Sequence, residues 1–259
     1  MGGCLISAAS LKGKTHNQCD DKIFFHRTNE ITTSVLADGA GSKKMSSIGA
    51  KIATKTLSRA MPGLLTGMRF SNKSDLFQSA KELKKNIVFY INDAIKSSQN
   101  FTGDISDYAC TLLFATYVKN CNRWVIGHIG DGVICAMDCK DNIITISEPE
   151  NGEFANETFF ITDSEAISKL RIYIVKGIKG VVLASDGTAA SIYSKNGIAT
   201  GLLKFFKWQR EYGEAKTSSI LRKNIEQVFL KKTNDDCSIL LHQLKNIEVV
   251  QSHLKVTKL

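Results

Sequence analysis

Three aspartate–glycine pairs close apolar runs in this chain: Ser34-Val-Leu-Ala-Asp38-Gly39, Gly127-His-Ile-Gly-Asp131-Gly132 and Val181-Val-Leu-Ala-Ser-Asp186-Gly187. Two acidic pairs, Asp20-Asp21 and Asp235-Asp236, bracket most of the sequence. Taken singly, Asp-Gly is the residue pair of a tight hairpin turn. The repetition admits a second reading. An aspartate at a strand end is held by rigid backbone while its short side chain projects past the sheet edge. Several such ends converging would form a negative pocket, unfavourable unless a cation fills it. Hard divalent ions such as Mg2+ or Mn2+ take oxygen ligands from carboxylates, carbonyls and water. A glycine beside each carboxylate also lets a backbone carbonyl come close, since no Cβ obstructs it. Spacing alone supports an acidic metal site and goes no further.

The elements that would carry these residues are legible as short β-type runs rich in Val, Ile, Phe and Tyr. They are Lys22–His26, Thr32–Ala37, Ala109–Val118, Arg123–His128, Val133–Met137, Ile143–Ile146, Arg171–Val175, Val181–Ala184 and Cys237–His242. Helical spacing shows elsewhere. Leu76, Ala80, Leu83, Ile87, Ile91 and Ala94 recur every three or four residues and form one apolar stripe. A shorter helix is predicted over Ser46–Ala60, and two more over Gly197–Trp208 and Thr217–Phe229. Connections between the strands are too brief for parallel crossovers. The expectation is an α+β layered sandwich, two mainly antiparallel sheets flanked by helices, in a single domain over 1–259.

Composition narrows the function classes. Apolar residues make up 43% and charged residues 23% of 259, which suits a chain with a real core. No apolar run approaches the ~20 residues that cross a bilayer. The start, Met1-Gly2-Gly3-Cys4-Leu5-Ile6-Ser7, lacks the charged opening of a signal peptide and places Ile6 where a myristoylation pattern needs Ser or Thr. The cytoplasm is the expected location. Seven cysteines, an odd number with no Cys-x-x-Cys pair, argue against a disulfide framework or a zinc ribbon. The net charge of +9 fits an anionic partner without choosing one. Lys and Arg are spread along the chain, with no concentrated basic stripe and no stacking motif to favour nucleic acid.

The order of these pieces resembles the metal-dependent protein phosphatases of the type 2C (PPM) family, and especially its compact bacterial members. The stretch Ser10 to Asp21 looks like the family's first acidic motif, and Val35-Leu-Ala-Asp38-Gly39-Ala-Gly41-Ser42 looks like its Asp-Gly-x-Gly motif. Ala109-Cys-Thr111-Leu112 stands where relatives have Gly-Thr-Thr-Leu, and Gly127 to Gly132 is similar to the Gly-Asp-Ser/Gly motif. Glu153 to Thr158 resembles the segment that overhangs the site; Leu183 to Gly187 and Asn234-Asp235-Asp236 complete the set. These motifs, in the family's order, cover roughly residues 10 to 242.

The resemblance implies a serine/threonine phosphatase with two Mg2+ or Mn2+ ions and a third, weaker position. Asp38 would bridge two metals and Gly39 would offer its carbonyl. Asp186 and Asp235 would complete the first metal, Asp20 or Asp21 would serve the second, and Asp131 the third. Partners would be phosphorylated proteins, substrates of a serine/threonine kinase, with no nucleic acid or membrane and with a monomer as the default. Two departures are visible. Ala40 stands where eukaryotic relatives have a His, and His16 stands near where many relatives hold phosphate with an Arg. His16 could touch phosphate or a metal-bound water, or be structural. His128, on an alternating strand, reads as a sheet histidine. The rival functions are a catalytically inactive phosphoprotein-binding relative and a nucleic-acid-binding protein or metal nuclease.

Overall fold

The computed structural model describes residues 3–68, 73–150, 158–194, 197–245 and 253–259. In chain order the strands are β1 Cys4–Leu11, β2 Lys22–Arg27, β3 Ile31–Ala37, β4 Leu112–Val118, β5 Arg123–Ile129, β6 Val133–Asp138 and β7 Ile143–Ser147. They continue with β8 Arg171–Lys176, β9 Ile178–Ala184, β10 Tyr193–Ser194, β11 Gly197–Ile198, β12 Cys237–Leu244 and β13 Lys255–Lys258. The helices are α1 Ser46–Leu64, α2 Lys73–Lys96, α3 Ala166–Lys169, α4 Asp186–Ile192 and α5 Leu202–Gln227.

Two sheets form the centre, one ordered β1-β12-β9-β6-β7 and the other β13-β8-β5-β4-β3-β2. Every pairing in them is antiparallel. The strands are covered on both faces, which explains their continuous apolar runs. Leu36, Leu113, Ile134 and Leu183 pack between the sheets. Val35, Ala37, Leu112 and Phe114 point the other way, against α1 and α2. Val182, Ala184, Ile239 and Leu241 face Leu221 and Ile225 of α5. The result is the expected layered sandwich, with α1 and α2 outside one sheet and α5 outside the other.

The α2 stripe is realised: Leu76, Ala80, Leu83, Ile87 and Ile91 are all buried. The two helices expected near the C-terminal end meet at Gly213, whose φ of 76° breaks the helical path within α5. The first of them begins at Leu202, because Gly197–Ile198 pairs with Tyr193–Ser194 instead. The sequence reading lacks the strands β1 and β13, the two-residue strands β10 and β11, the one-turn helix α3 and the helix α4. β1, Cys-Leu-Ile-Ser-Ala-Ala-Ser-Leu, is dominated by small residues of weak strand propensity and is held by an eight-residue register with β12. β13 depends likewise on pairing with β8. Helix α4 was hidden by the Asp186-Gly187 pair at its start.

The exposed edge of β1 is capped from outside. Glu214, just after the Gly213 break, accepts a hydrogen bond from the Ile6 amide at 2.7 Å and one from Arg27 of β2 at 2.5 Å. Ser218 accepts the Ala8 amide at 3.2 Å. One helix thereby ties an edge strand of each sheet together and occupies donors that would otherwise face solvent.

Candidate metal centre

None of the three Asp-Gly pairs is a hairpin turn. Asp38-Gly39 follows β3, Asp131-Gly132 carries the chain from β5 in one sheet to β6 in the other, and Asp186-Gly187 opens α4. Gly39, Gly132 and Gly187 lack the positive φ that the favoured hairpin turns require. They are glycine because backbone passes too close for a side chain. A Cβ on Gly187 would lie 2.2 Å from the Asp236 carbonyl, and one on Gly132 2.6 Å from the Ala184 carbonyl. These contacts draw the ends of β5, β9 and β12 together, and their aspartates with them.

Asp38 is clamped through its backbone. Its amide donates to Thr111 Oγ1 at 3.0 Å and its carbonyl accepts from the Thr111 amide at 2.8 Å. The flanking bond from the Ala40 amide to the Ala109 carbonyl makes Gly39 and Cys110 a non-hydrogen-bonded pair. The Gly39 carbonyl is therefore turned away from the neighbouring strand. Gly39, Asp38, Asp131, Asp186, Asp235 and His16 all line one cavity of about 400 Å³.

Asp20 and Asp21 separate. Asp21 is 3% exposed and sits behind the cavity wall, accepting from Ser185 Oγ at 2.8 Å. Its other oxygen, Oδ1, is buried without a hydrogen-bond partner among the described residues. Asp20 is half-buried and lines an adjoining pocket. The two backbone amides at the ends of their loop converge on Asp236: Gly13 donates to Oδ1 at 2.7 Å and Asp20 to Oδ2 at 2.5 Å. Asp236 thus holds the loop in place, 223 residues from Gly13 along the chain.

Electrostatics mark the cluster as incomplete without positive charge. Burial raises Asp38 well above the ordinary carboxylate range, and the charges of Asp21 and Asp186 raise it further. Asp21 is pushed up to about 7 by burial, with the nearby Ser238 and Ser185 hydroxyls working against it and the charges of Asp236 and Asp186 adding to it. Asp186 is pushed to about 6 by burial and by Asp235 and Asp131. An all-oxygen donor set with one buried, unpaired carboxylate oxygen fits a hard divalent cation.

His16 sits on the rim, with Nδ1 3.0 Å from Asp236 Oδ1 and Nε2 3.5 Å from Asp235 Oδ1. Burial works to lower its pKa, but Asp236, Asp235 and Asp20 together raise it. Donor atoms of His16, Asp20 and Asp236 lie within 4.8 Å of one another, a second and shallower convergence. Both Asp236 oxygens there already accept backbone amides, so the buried carboxylates are the stronger cation site.

His128 is a sheet histidine. It is fully buried, contacts Ser147 Oγ at 2.8 Å and Arg171 at 3.0 Å, and is held neutral by burial and by the Arg171 charge. The expected overhanging segment lies outside the described residues except for Thr158, whose hydroxyl donates to Asp131 Oδ2 at 2.6 Å. Thr111, Ser185 and Thr158 had not been singled out as site residues. Each lies within or beside a motif, yet a hydroxyl's partner cannot be read from spacing.

With this geometry in view, comparison with known proteins is specific. The family model for protein phosphatase 2C matches residues 13–228, and the chain belongs to that family. Serine/threonine-protein phosphatase 3 of Escherichia coli (strain K12) is 29% identical over 160 residues, which is 59% of this chain. The match spans 57% of that relative's length. Among solved structures, the S. agalactiae serine/threonine phosphatase superposes with a TM-score of 0.61 at 14% identity, covering 93% of this chain and 99% of that one. RsbX, crystallised in complex with magnesium, gives 0.57 at 11% identity over 93% and 95%. At those identities the likeness is one of fold. No helix among the described residues is long and apolar enough to cross a membrane.

Proposed function

We propose that this chain is a metal-dependent protein serine/threonine phosphatase that hydrolyses phosphoserine and phosphothreonine. The supporting observation is the convergence of Asp38, Asp131, Asp186 and Asp235 on one cavity, above a buried Asp21 with an unpaired oxygen. Asp38 would be shared by two Mg2+ or Mn2+ ions, with the Gly39 carbonyl and Asp20 or Asp21 on one side and Asp186 and Asp235 on the other. Asp131 would serve a third. When bound, such ions supply an activated water and neutralise the phosphate for in-line displacement.

The chain's own residues supply position. Thr111 fixes the direction of Asp38, Ser185 that of Asp21, and Asp236 that of the loop carrying Asp20. His16, aimed into the cavity from its rim, takes the place where relatives use an arginine and would orient phosphate or water. None of the seven thiols lines the cavity, and the Thr158 hydroxyl there is engaged with Asp131 and that of Thr111 with the Asp38 amide, so the reading uses an activated water as nucleophile. The full set of cavity carboxylates argues against an inactive phosphoprotein-binding relative. A cytoplasmic, monomeric enzyme of one catalytic domain, acting on substrates of a serine/threonine kinase, is part of the same proposal.

The test is phosphate release from a phosphothreonine peptide with Mn2+, against an EDTA control and Asp186→Ala. Turnover that needs metal and disappears in the variant is expected. Mn2+ binding without turnover on several phosphopeptides would overturn the catalytic reading.

A further inference from the structure

A second pocket, about 430 Å³, adjoins the carboxylate cavity. It is lined by Thr15, His16, Asn17, Gln18, Asp20 and Gly41. His16 and Gly41 line both spaces, so the two abut at a ridge made of one imidazole and one residue without a side chain. Each is within the size range of pockets that hold small ligands.

The pocket is built on a braced loop. Besides the two amides held by Asp236, Lys12 Nζ donates to the His16 carbonyl at 2.6 Å and Thr15 Oγ1 to the Asn234 carbonyl at 3.2 Å. Gly13 passes so close to β12 that a Cβ there would lie 2.2 Å from the Asn234 carbonyl. The loop is thus shaped by its contacts before any ligand arrives. Its lining is wholly polar. Two carboxamides, a hydroxyl, an imidazole and a carboxylate line it. Gln18 Nε2 donates to Asp20 Oδ1 at 3.0 Å, which leaves the Gln18 carbonyl oxygen and the whole Asn17 carboxamide to meet a ligand. Asn17 is exposed and its side chain makes no hydrogen bond among the described residues. Carboxamides match the paired donor and acceptor of a peptide unit.

We propose that this pocket is a substrate subsite that binds the peptide main chain on one side of the phosphorylated residue. The inference rests on the phosphatase reading of the neighbouring cavity and names the substrate class of that site as an extended, polar polypeptide segment. With the phosphorylated side chain in the carboxylate cavity, the main chain crosses the His16–Gly41 ridge. The adjoining residues then enter the second pocket. Gly41 keeps the passage open: a Cβ there would meet nothing within 4 Å, and its φ lies outside the left-handed region. A larger side chain at this position is accommodated by the backbone but obstructs the ridge.

The experiment compares kcat/KM for a nine-residue phosphothreonine peptide with kcat/KM for p-nitrophenyl phosphate, which fills only the carboxylate cavity. Gly41→Leu is expected to lower the peptide-to-ester ratio at least tenfold, and Asn17→Ala severalfold. Truncating the peptide on one side of the phosphothreonine should reproduce the loss, while truncation on the other should not. An unchanged ratio in both variants, or equal sensitivity to the two truncations, overturns the subsite. Fluorescence anisotropy with the labelled peptide separates this from the parent reading. If the wild type turns over neither substrate, peptide binding that weakens tenfold in Gly41→Leu supports the subsite while the catalytic reading fails. Binding insensitive to Gly41→Leu, or no binding, overturns the subsite as well.

Discussion

Two regions of the protein bury ionisable groups with opposite outcomes. Between the sheets, His242 is fully buried with Nδ1 3.0 Å from Ser34 Oγ, and its ring stands edge-on to Trp124. Burial and the nearby Arg27 charge push its pKa down to about 3, so it stays neutral and completes the core. At the ends of the strands, Asp21, Asp38 and Asp186 are pushed the other way, by burial first and then by the charges of neighbouring aspartates. Desolvation disfavours charge in both regions. Among the described residues the second region holds several like charges beside a cavity, where a bound cation would offset their repulsion. Burial alone does not make a site; convergence of one sign of charge does.

Removing one carboxylate should break that region most severely. Asp38→Ala is expected to lower metal-dependent phosphate release by at least ~1,000-fold, read against wild type at saturating Mn2+. The same variant in EDTA at pH 8 should melt at a higher temperature than wild type, because it relieves like-charge repulsion. A lower Tm would mean that the cluster is not strained without metal.

The glycine contacts that assemble the site come next. Gly187→Val places a side chain where Asp236 backbone already lies and should cost about 2–4 kcal/mol in denaturant unfolding, with activity falling in parallel. An effect below 0.5 kcal/mol, the size of an ordinary surface substitution, would show that α4 and β12 are not in the close register described.

The two regions should also tilt the pH dependence in opposite directions. His242 takes a proton in the unfolded chain below pH ~6.5 but not in the fold, so its contribution to stability falls as pH drops from about 6.5 toward about 3. Asp21 and Asp186, with folded values of about 7 and about 6, ionise more readily in the unfolded chain. Metal-free protein therefore loses their contribution as pH rises from about 4 to 7. Tm against pH in EDTA should peak at mildly acidic pH, and Mn2+ should lift the alkaline side most. His242→Gln should flatten the acid limb alone; Asp38→Asn should flatten the alkaline limb.

The smallest effect concerns the clasp at the sheet edges. Glu214→Ala leaves the Ile6 amide and Arg27 without their shared acceptor and should cost about 1 kcal/mol, since the ion pair itself is partly exposed. Its value against the site variants is contrast: Tm should drop slightly while kcat stays the same.

The sequence by itself determined the architecture and which carboxylates could form a site. Apolar runs such as Val181–Ala184 and the Leu76–Ile91 stripe must be buried, and their periods dictate strands and a helix. The order of the aspartate motifs carried the family, and all of Asp38, Asp131, Asp186 and Asp235 do reach one cavity. What the tertiary structure alone decided depends on partners far apart in the chain. β1 is a strand because β12 lies beside it, and Asp236 is a loop anchor because Gly13 and Asp20 come to it. Asp20 and Asp21, adjacent in sequence, end up apart in role: Asp20 lines the second pocket while Asp21 is buried against Ser185. The glycines of the Asp-Gly pairs looked like turn residues, yet they answer to backbone atoms of other elements: Ser46 of α1, Ala184 of β9 and Asp236 beside β12. Local propensity acts over a few residues; which backbone passes within a Cβ's reach is set only once the whole chain has packed.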